Sequence, residues 1–369
     1  MIFSRSLLSS MILGLLSTQA SAIGLFETLV NEPGTRANAM AGAFTAGVND
    51  SSALWYNPAG QGSPFSATNE VTIDYGNKMH RDASGETKVT GKSEIRYISG
   101  SLPGAANDQT HVTFSYFEPV KMSIPNVNLG SGVEKLDLTY RFLTVGSGGL
   151  SPKRSFSFGS AMTLAMLSTE FPSGGSSDDG VWEPVFNLGI AWHAVNTPRI
   201  KLDAGSSFLS GTNWDFEDYG ASKEDVLETI VPSIPSRFAY GVNARITVPR
   251  GVLSLSYDKI SWLADDRTFG SVGTNGTDRT NIGAEGVFHL NSQLLVSLRW
   301  GNASALTAKP ESGNFNSNVD KMNIGSYGVG IGFNNQHFLE YSVQNRELTL
   351  LNLNKQKYAL TSLSYSMQF

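Results

Sequence analysis

The chain has 369 residues, a formal net charge of −5 and no cysteine. The absence of cysteine excludes disulfides, thiolate nucleophiles and cysteine-based metal sites. The mildly acidic balance argues against nucleic-acid binding, which usually relies on a basic face. A mean hydropathy of −0.14 excludes a helical polytopic membrane protein, but it fits a membrane β-barrel, whose strands alternate apolar and polar residues.

The first 22 residues have the composition of a secretory signal peptide. Arg5 precedes an uncharged, leucine-rich run over residues 7–16, and Ala20-Ser21-Ala22 provides an Ala-x-Ala cleavage site. The alternative is an uncleaved membrane anchor, which needs about 20 apolar residues, and this run is shorter. We therefore expect cleavage after Ala22 and export from the cytoplasm.

From about Asn69 onward the chain alternates apolar and polar residues with a period of two, as a strand with two unlike faces does. Most of these runs are close in length to the roughly 9–11 residues that a tilted strand needs to cross a bilayer. The fourteen predicted strands are 69–77, 92–101, 110–118, 135–145, 155–167, 183–194, 199–209, 236–248, 251–262, 279–290, 293–303, 322–334, 337–345 and 357–369.

The connections between these runs alternate between short and long. Outer-membrane barrels have short periplasmic turns and longer outside loops, and they carry aromatic girdles where strands meet the membrane interfaces. Tyr, Phe and Trp stand at many run ends here, for example Trp262 and Trp300. The alternative, a soluble secreted β-sandwich, needs neither feature. We predict an all-β fold, a transmembrane antiparallel β-barrel of about 14 strands over residues 69–369.

Residues 23–68 do not alternate and precede the first predicted strand. The alternative for such a segment is a disordered periplasmic tail, but disordered tails are poor in aromatic residues and rich in charge. This segment has few charges and contains Phe26, Phe44, Trp55, Tyr56 and Phe65. We therefore expect it to pack in the barrel lumen as a plug.

Two stretches of this segment carry a family resemblance. Residues 34–44, Gly-Thr-Arg-Ala-Asn-Ala-Met-Ala-Gly-Ala-Phe, and residues 49–60, which end in Asn57-Pro58-Ala59-Gly60, resemble the N-terminal hatch of the long-chain fatty-acid transporter (FadL) family. Segments that begin at Pro235, Gly251 and Tyr327 are similar to the same family. The resemblance implies that Asn57, Pro58, Ala59 and Gly60 form the core of a hatch over residues 23–68.

The resemblance also implies a function and a location. Members of the family are monomeric barrels in the outer membrane of Gram-negative bacteria. They carry long-chain fatty acids or aromatic hydrocarbons and release them sideways into the bilayer. The expected partners are therefore the outer-membrane bilayer with its lipopolysaccharide and a hydrophobic small-molecule ligand. No cofactor is expected.

Charged residues on the polar strand face should point into the lumen, since a cation on the lipid face at the bilayer midplane costs about 2–4 kcal/mol. An arginine fork suits a carboxylate head group, and inward apolar residues suit an acyl chain. The alternative is that the charges form structural ion-pair ladders. The candidate ligand-binding residues are Arg96, Leu143, Arg245, Arg299 and Phe338.

The sequence contains no enzyme motif. None of the five histidines belongs to a His-Glu-x-x-His pattern, and no Gly-x-Ser-x-Gly elbow, Walker loop or dinucleotide fingerprint is present. We expect no catalytic residues and no metal site, although a barrel enzyme can assemble its site across strands, where only geometry reveals it. A rival function is a non-transporting barrel with a structural or secretion-accessory role, whose acidic surface loops bind other proteins.

Overall fold

The computed structural model describes residues 29–63, 69–81, 87–103, 110–128, 133–170, 177–212, 214–216, 227, 231, 233–263, 265–269, 272–274, 277–306, 319–350 and 355–369. The predicted signal peptide, residues 1–22, lies outside the described residues. Within the ranges above, no helix is long and apolar enough to span a membrane.

Fourteen strands of the described chain form one closed antiparallel barrel, as the sequence predicted. The barrel closes because β1 pairs with β2 on one side and with β14 on the other, from Glu70↔Gln368 to Gly76↔Ser362. The strands are β1 (Glu70–Gly76), β2 (Glu94–Pro103), β3 (Thr110–Phe117), β4 (Val133–Leu150), β5 (Phe156–Glu170), β6 (Ser177–Asn196), β7 (Ile200–Leu209), β8 (Arg237–Val248), β9 (Gly251–Trp262), β10 (Thr277–His289), β11 (Leu294–Leu306), β12 (Val319–Phe333), β13 (His337–Leu350) and β14 (Lys355–Gln368).

The two ends of the barrel differ. At one end tight turns link the strands, as Pro249-Arg250 links β8 to β9, and we call this the short-turn end. The opposite end, which contains the connection from β7 to β8, is the long-loop end. Several strands extend further toward the long-loop end than predicted: β13 reaches Leu350, whereas the predicted run stops at residue 345.

An apolar belt covers the outside of the barrel. Alternate residues on each strand point outward and are large and apolar, which is the surface that a bilayer core requires. This architecture is that of an outer-membrane barrel. Exposed members of the belt include Val71, Ile73, Val145, Phe158, Leu188, Leu255, Trp300, Val329 and Leu363.

The prediction that Leu143 faces the lumen is wrong. Leu143 belongs to the outer belt and is 52% exposed, whereas its neighbour Phe142 points inward and is buried. In the long-loop half of β4 the inward residues are Leu136, Leu138, Tyr140 and Phe142, so the lumen is apolar there. The face of β4 that carries Leu143 also carries Lys135, Asp137 and Arg141, so a rule that places polar residues inside selects the wrong face.

Residues 29–63 fill the middle of the barrel, and we call them the internal segment. All but four of them are buried. The segment contains α1 (Thr35–Ala39), α2 (Ala53–Tyr56) and a 3-10 helix (Pro58–Gly62). Its backbone bonds to strands on different sides of the barrel, as a segment inside the lumen must: Ser326 Oγ of β12 donates to Ala39 O (2.9 Å), and Asn187 Nδ2 of β6 donates to Leu54 O (2.8 Å).

Inward glycines let the backbone of the internal segment approach the wall. A Cβ at Gly301 of β11 would collide with the backbone of Met40, and a Cβ at Gly159 of β5 would collide with the backbone of Pro58. Only glycine fits at these two positions, because any side chain would overlap the backbone of the internal segment.

The Gly301→Ala variant is expected to displace the internal segment, because the added methyl overlaps the backbone of Met40. Overpacking of this kind costs about 1–3 kcal/mol. Hydrogen–deuterium exchange of peptides around Met40 should be faster in this variant. The matched control is Gly325→Ala on β12, where a Cβ meets nothing within 4 Å. Equal exchange in both variants would contradict the close fit.

Candidate functional site

An aromatic cluster occupies the long-loop half of the lumen. Trp55 of α2 lies at its centre, with ring centroids 5.3 Å from Phe117, 6.0 Å from Phe142 and 6.3 Å from Trp262. Further buried apolar residues surround these four rings: Tyr97, Leu138, Tyr140, Leu167, Val185, Leu209, Trp214, Phe216, Ile234, Ala239 and Ile260. Apolar side chains, and not a water-filled path, therefore occupy this half of the lumen.

Arg237, the first residue of β8, is buried in this cluster at 1% exposure. Its guanidinium carbon lies 4.4 Å from the Trp55 ring centroid and 5.6 Å from that of Trp262, within the range of cation–π attraction. Arg237 Nη2 donates to Trp55 O, while Nε and Nη1 have no hydrogen-bond partner.

Arg237 therefore carries a buried charge that the described residues do not pair. No carboxylate among them lies within ion-pair distance of it, whereas the buried Arg279 and Arg299 have such partners. A buried charge without a counter-ion is costly, and cation–π contacts offset that cost only in part. Two free N–H groups in an apolar cluster suit an anionic head group attached to an apolar body.

Deeper in the lumen, Glu32 of the internal segment ties two wall arginines together. Arg279 Nη2 of β10 lies 2.6 Å from Glu32 Oε1, and both side chains are 1% exposed. Arg96 Nη2 of β2 donates to Glu32 O at 3.4 Å. Glu32 thus holds the internal segment to the wall on two sides.

The wall is interrupted beside the aromatic cluster. The ladder between β2 and β3 ends at the pair Tyr97↔Phe117. After residues 118–120 the chain continues as a short strand, Lys121–Asn128, which pairs with β4 instead of β2. Pro119 stands at the bend, where its missing N–H suits a break in the ladder.

The first residues of the internal segment bond to this interruption. Asn31 N donates to Pro119 O at 2.7 Å. The Asn31 side chain accepts from Met79 N at 2.8 Å and donates to Met79 O at 3.0 Å. Asn31 therefore connects the bend of the wall to the hairpin of Met79–Arg81 and Thr87–Val89.

The Asn57-Pro58-Ala59-Gly60 motif forms a tight corner against β6 and β7. Asn57 Nδ2 donates to Thr45 O (2.9 Å) and to Ile190 O (3.2 Å), and Ala59 N donates to Asn57 Oδ1 (3.1 Å). A Cβ at Gly60 would lie 2.6 Å from Val48 O, so only glycine fits. The motif thus has a clear structural task, and its role in a moving hatch stays a prediction.

The other predicted ligand-binding residues do not form one pocket. Arg96 is buried beside Tyr97 at a bulge of β2. Arg245 is half-buried and donates to Gly47 O at 3.0 Å. Arg299 and Phe338 line a separate cavity at the short-turn end. Arg237 is not among the ligand-binding residues predicted from the sequence.

Three side chains at the short-turn end have the arrangement of a hydrolase triad. Ser157 Oγ lies 3.3 Å from His193 Nε2, and His193 Nδ1 lies 2.7 Å from Asp203 Oδ1. However, Ser157 is fully buried, and it pairs in the ladders of β4 and β6, which leaves no strand amides for an oxyanion hole. A substrate carbonyl cannot reach Ser157 Oγ here, so the trio serves as a buried polar network. In the described part of the chain, no group of three histidine or acidic side chains is placed to hold a metal ion.

No protein-family model and no curated protein sequence matches this chain. Solved structures do match. A FadL homologue of Pseudomonas aeruginosa has a TM-score of 0.56 at 14% identity, covering 95% of this chain and 100% of that chain. The toluene transporter TodX of Pseudomonas putida has a TM-score of 0.54 at 13% identity, covering 95% and 100%. The toluene transporter TbuX of Ralstonia pickettii has a TM-score of 0.55 at 10% identity, covering 92% and 99%.

These neighbours are channels and transporters rather than enzymes, and they match over nearly their whole length. Identities of this size establish the fold alone. The chain shares the barrel fold of the FadL homologue and of the toluene transporters, as the resemblance in its sequence predicted.

Proposed function

We propose that this protein is an outer-membrane channel of a Gram-negative bacterium that takes up hydrophobic small molecules passively, with residues 23–68 acting as its hatch. The observation that carries the proposal is the aromatic cluster around Trp55, which lines the lumen with apolar side chains. The fold shared with a FadL homologue and with toluene transporters supports the same class of cargo.

Within that class, Arg237 favours long-chain fatty acids over aromatic hydrocarbons. Its Nε and Nη1 atoms donate no hydrogen bond to the described residues, and an anionic head group would accept from them and compensate the charge. A neutral hydrocarbon would leave the charge uncompensated. The acyl chain would then extend over Trp55 and its aromatic neighbours.

The interruption beside β3 is the proposed exit. Asn31 helps to close it through hydrogen bonds to Met79, beside the pairing of Arg81 with Met122 and the ion pair of Lys78 with Glu118. A ligand that displaces the start of the segment would open a lateral path from the aromatic cluster to the bilayer. We propose that the barrel works as a monomer among outer-membrane lipids and lipopolysaccharide, because each barrel contains its own cluster and exit.

The Arg237→Gln variant tests the ligand class. It should bind oleate at least about tenfold more weakly, since a charge-assisted hydrogen bond to the carboxylate is lost. Because the variant also removes an uncompensated buried charge, its resistance to heat should equal or exceed that of the unmodified chain. Oleate affinity is measured by displacement of a fluorescent fatty acid, and heat resistance by gel mobility of the heated barrel.

Arg245→Gln is the matched control, since Arg245 is an inward arginine of the same strand that already bonds to Gly47 O. It should leave oleate binding within about twofold. Unchanged oleate affinity in Arg237→Gln would overturn the fatty-acid assignment. A barrel that binds neither oleate nor toluene would instead support the protein-binding alternative.

A further inference from the structure

A cavity of about 220 Å³ lies at the short-turn end of the lumen, separate from the aromatic cluster. Strands β10 to β14 and β1 form its wall, and Arg36 and Asp50 of the internal segment form its roof. An apolar cavity of about 150 Å³ is large enough to bind benzene, so this one has room for a small organic molecule.

The roof is an ion-pair ladder. Arg36 binds Glu285 with two hydrogen bonds, of 2.9 and 2.6 Å, and Glu285 also accepts from Arg299 Nε at 2.7 Å. Arg299 Nη2 donates to Glu340 at 2.6 Å. Burial alone would lower the pKa of Arg36, but the nearby carboxylates, Glu285 above all, raise it, so Arg36 stays charged.

One donor of this ladder is left over. Arg299 Nη1 is buried and has no hydrogen-bond partner among the described residues, although the other two nitrogens of the same guanidinium are bonded. Gly330 lines the cavity next to it, where a Cβ would collide with Ser297 Oγ and would lie 3.3 Å from Arg299 Nη1. Glycine at this position therefore leaves room for the Ser297 hydroxyl and the guanidinium at the edge of the cavity.

The rest of the lining determines which ligand fits. Val287, Leu295 and Phe338 form an apolar side of the cavity. The charged residues of the lining are two arginines and four acids (Arg36, Arg299, Asp50, Glu70, Glu285 and Glu340), a formal balance of −2. An organic anion would be repelled by the surplus carboxylates, while a molecule without any oxygen would leave Arg299 Nη1 unsatisfied.

We propose that this cavity is a second ligand site, which binds a small uncharged molecule with an apolar body and one oxygen acceptor, such as an aromatic alcohol. The oxygen accepts from Arg299 Nη1, and the ring lies against Leu295 and Phe338. This site is independent of the fatty-acid site at Arg237, because its ligand is smaller and carries no charge.

The test compares benzyl alcohol, toluene and benzoate on the full chain in nanodiscs by calorimetric titration, with empty nanodiscs subtracted. Benzyl alcohol should bind at least about tenfold more tightly than toluene, since a hydrogen bond from a charged donor is gained. Benzoate should bind more weakly than either. Leu295→Phe fills the apolar side and should abolish benzyl alcohol binding, while Leu298→Phe, at an outward position of the same strand, should not.

Arg299→Lys gives a second measurement that does not depend on filling the cavity. Lysine keeps the charge but lacks the spare nitrogen, so the preference for benzyl alcohol over toluene should disappear. Oleate binding should be unchanged in Leu295→Phe. Failure of the second-site proposal is therefore distinguishable from failure of the fatty-acid proposal. Tighter binding of benzoate than of benzyl alcohol, or equal benzyl alcohol binding in Leu295→Phe and Leu298→Phe, would overturn the proposal.

Discussion

Deleting residues 29–63 is expected to turn the barrel into an open pore. The fourteen-stranded wall closes through its own ladders, from β1–β2 round to β14–β1, so it should still fold without the internal segment. Barrels somewhat wider than this one leave an aqueous channel when nothing fills them. Selective uptake of fatty acid should disappear, because the deletion removes Trp55 and leaves Arg237 open to water.

Single-channel conductance in planar bilayers measures this effect. The deletion variant should conduct at least about tenfold more than the full chain. Heat-dependent gel mobility shows in parallel that the barrel has folded. If a folded deletion variant conducts no more than the full chain, or still takes up fatty acid selectively, the internal segment is not the hatch.

Replacing Glu32 by glutamine is expected to release the internal segment from the wall. The ion pair between Glu32 and Arg279 is fully buried, and Gly42 adopts a positive φ of 76° where a Cβ would lie 3.1 Å from both side chains. Removing one partner of such a pair leaves the other charge buried and uncompensated, at about 3–5 kcal/mol. Hydrogen–deuterium exchange over residues 29–63 should therefore accelerate strongly.

Two variants check the cause of this effect. Glu94→Gln removes a half-exposed carboxylate, 3.5 Å from Lys78. Because surface ion pairs contribute little, the opening free energy derived from exchange should change by less than about 1 kcal/mol. The double variant Glu32→Gln with Arg279→Gln removes both charges and should recover part of the lost protection. Normal protection in Glu32→Gln alone would show that this pair does not hold the segment.

The fold was largely predictable because strand alternation and turn length are local signals. All fourteen predicted runs overlap a barrel strand. The orientation of side chains was less predictable, because it depends on what fills the lumen. Beside Trp55 the interior is apolar, whereas the outward face of β4 carries Asp137 and Arg141 next to Leu143, so Leu143 was assigned to the wrong side. The bulge that turns both Arg96 and Tyr97 inward is equally invisible in the alternation.

The site was less predictable than the fold. Arg299 and Phe338 do border a common cavity, but Arg299 is already paired with two carboxylates that come from other strands. A local pattern does indicate that Arg237 lies beside an aromatic residue. With a two-residue turn at Pro249-Arg250, the antiparallel register places Arg237 directly opposite Trp262. Its contact with Trp55 depends on the path of the internal segment, which no local pattern shows.

The most direct test of the central claim is mass spectrometry of the lipids that co-purify with the detergent-extracted barrel. The proposed function predicts a long-chain fatty acid at about one molecule per barrel with the unmodified chain, its loss in Arg237→Gln, and its retention in Arg245→Gln. A barrel that carries no hydrophobic ligand, or one that keeps the same ligand in Arg237→Gln, would contradict the account.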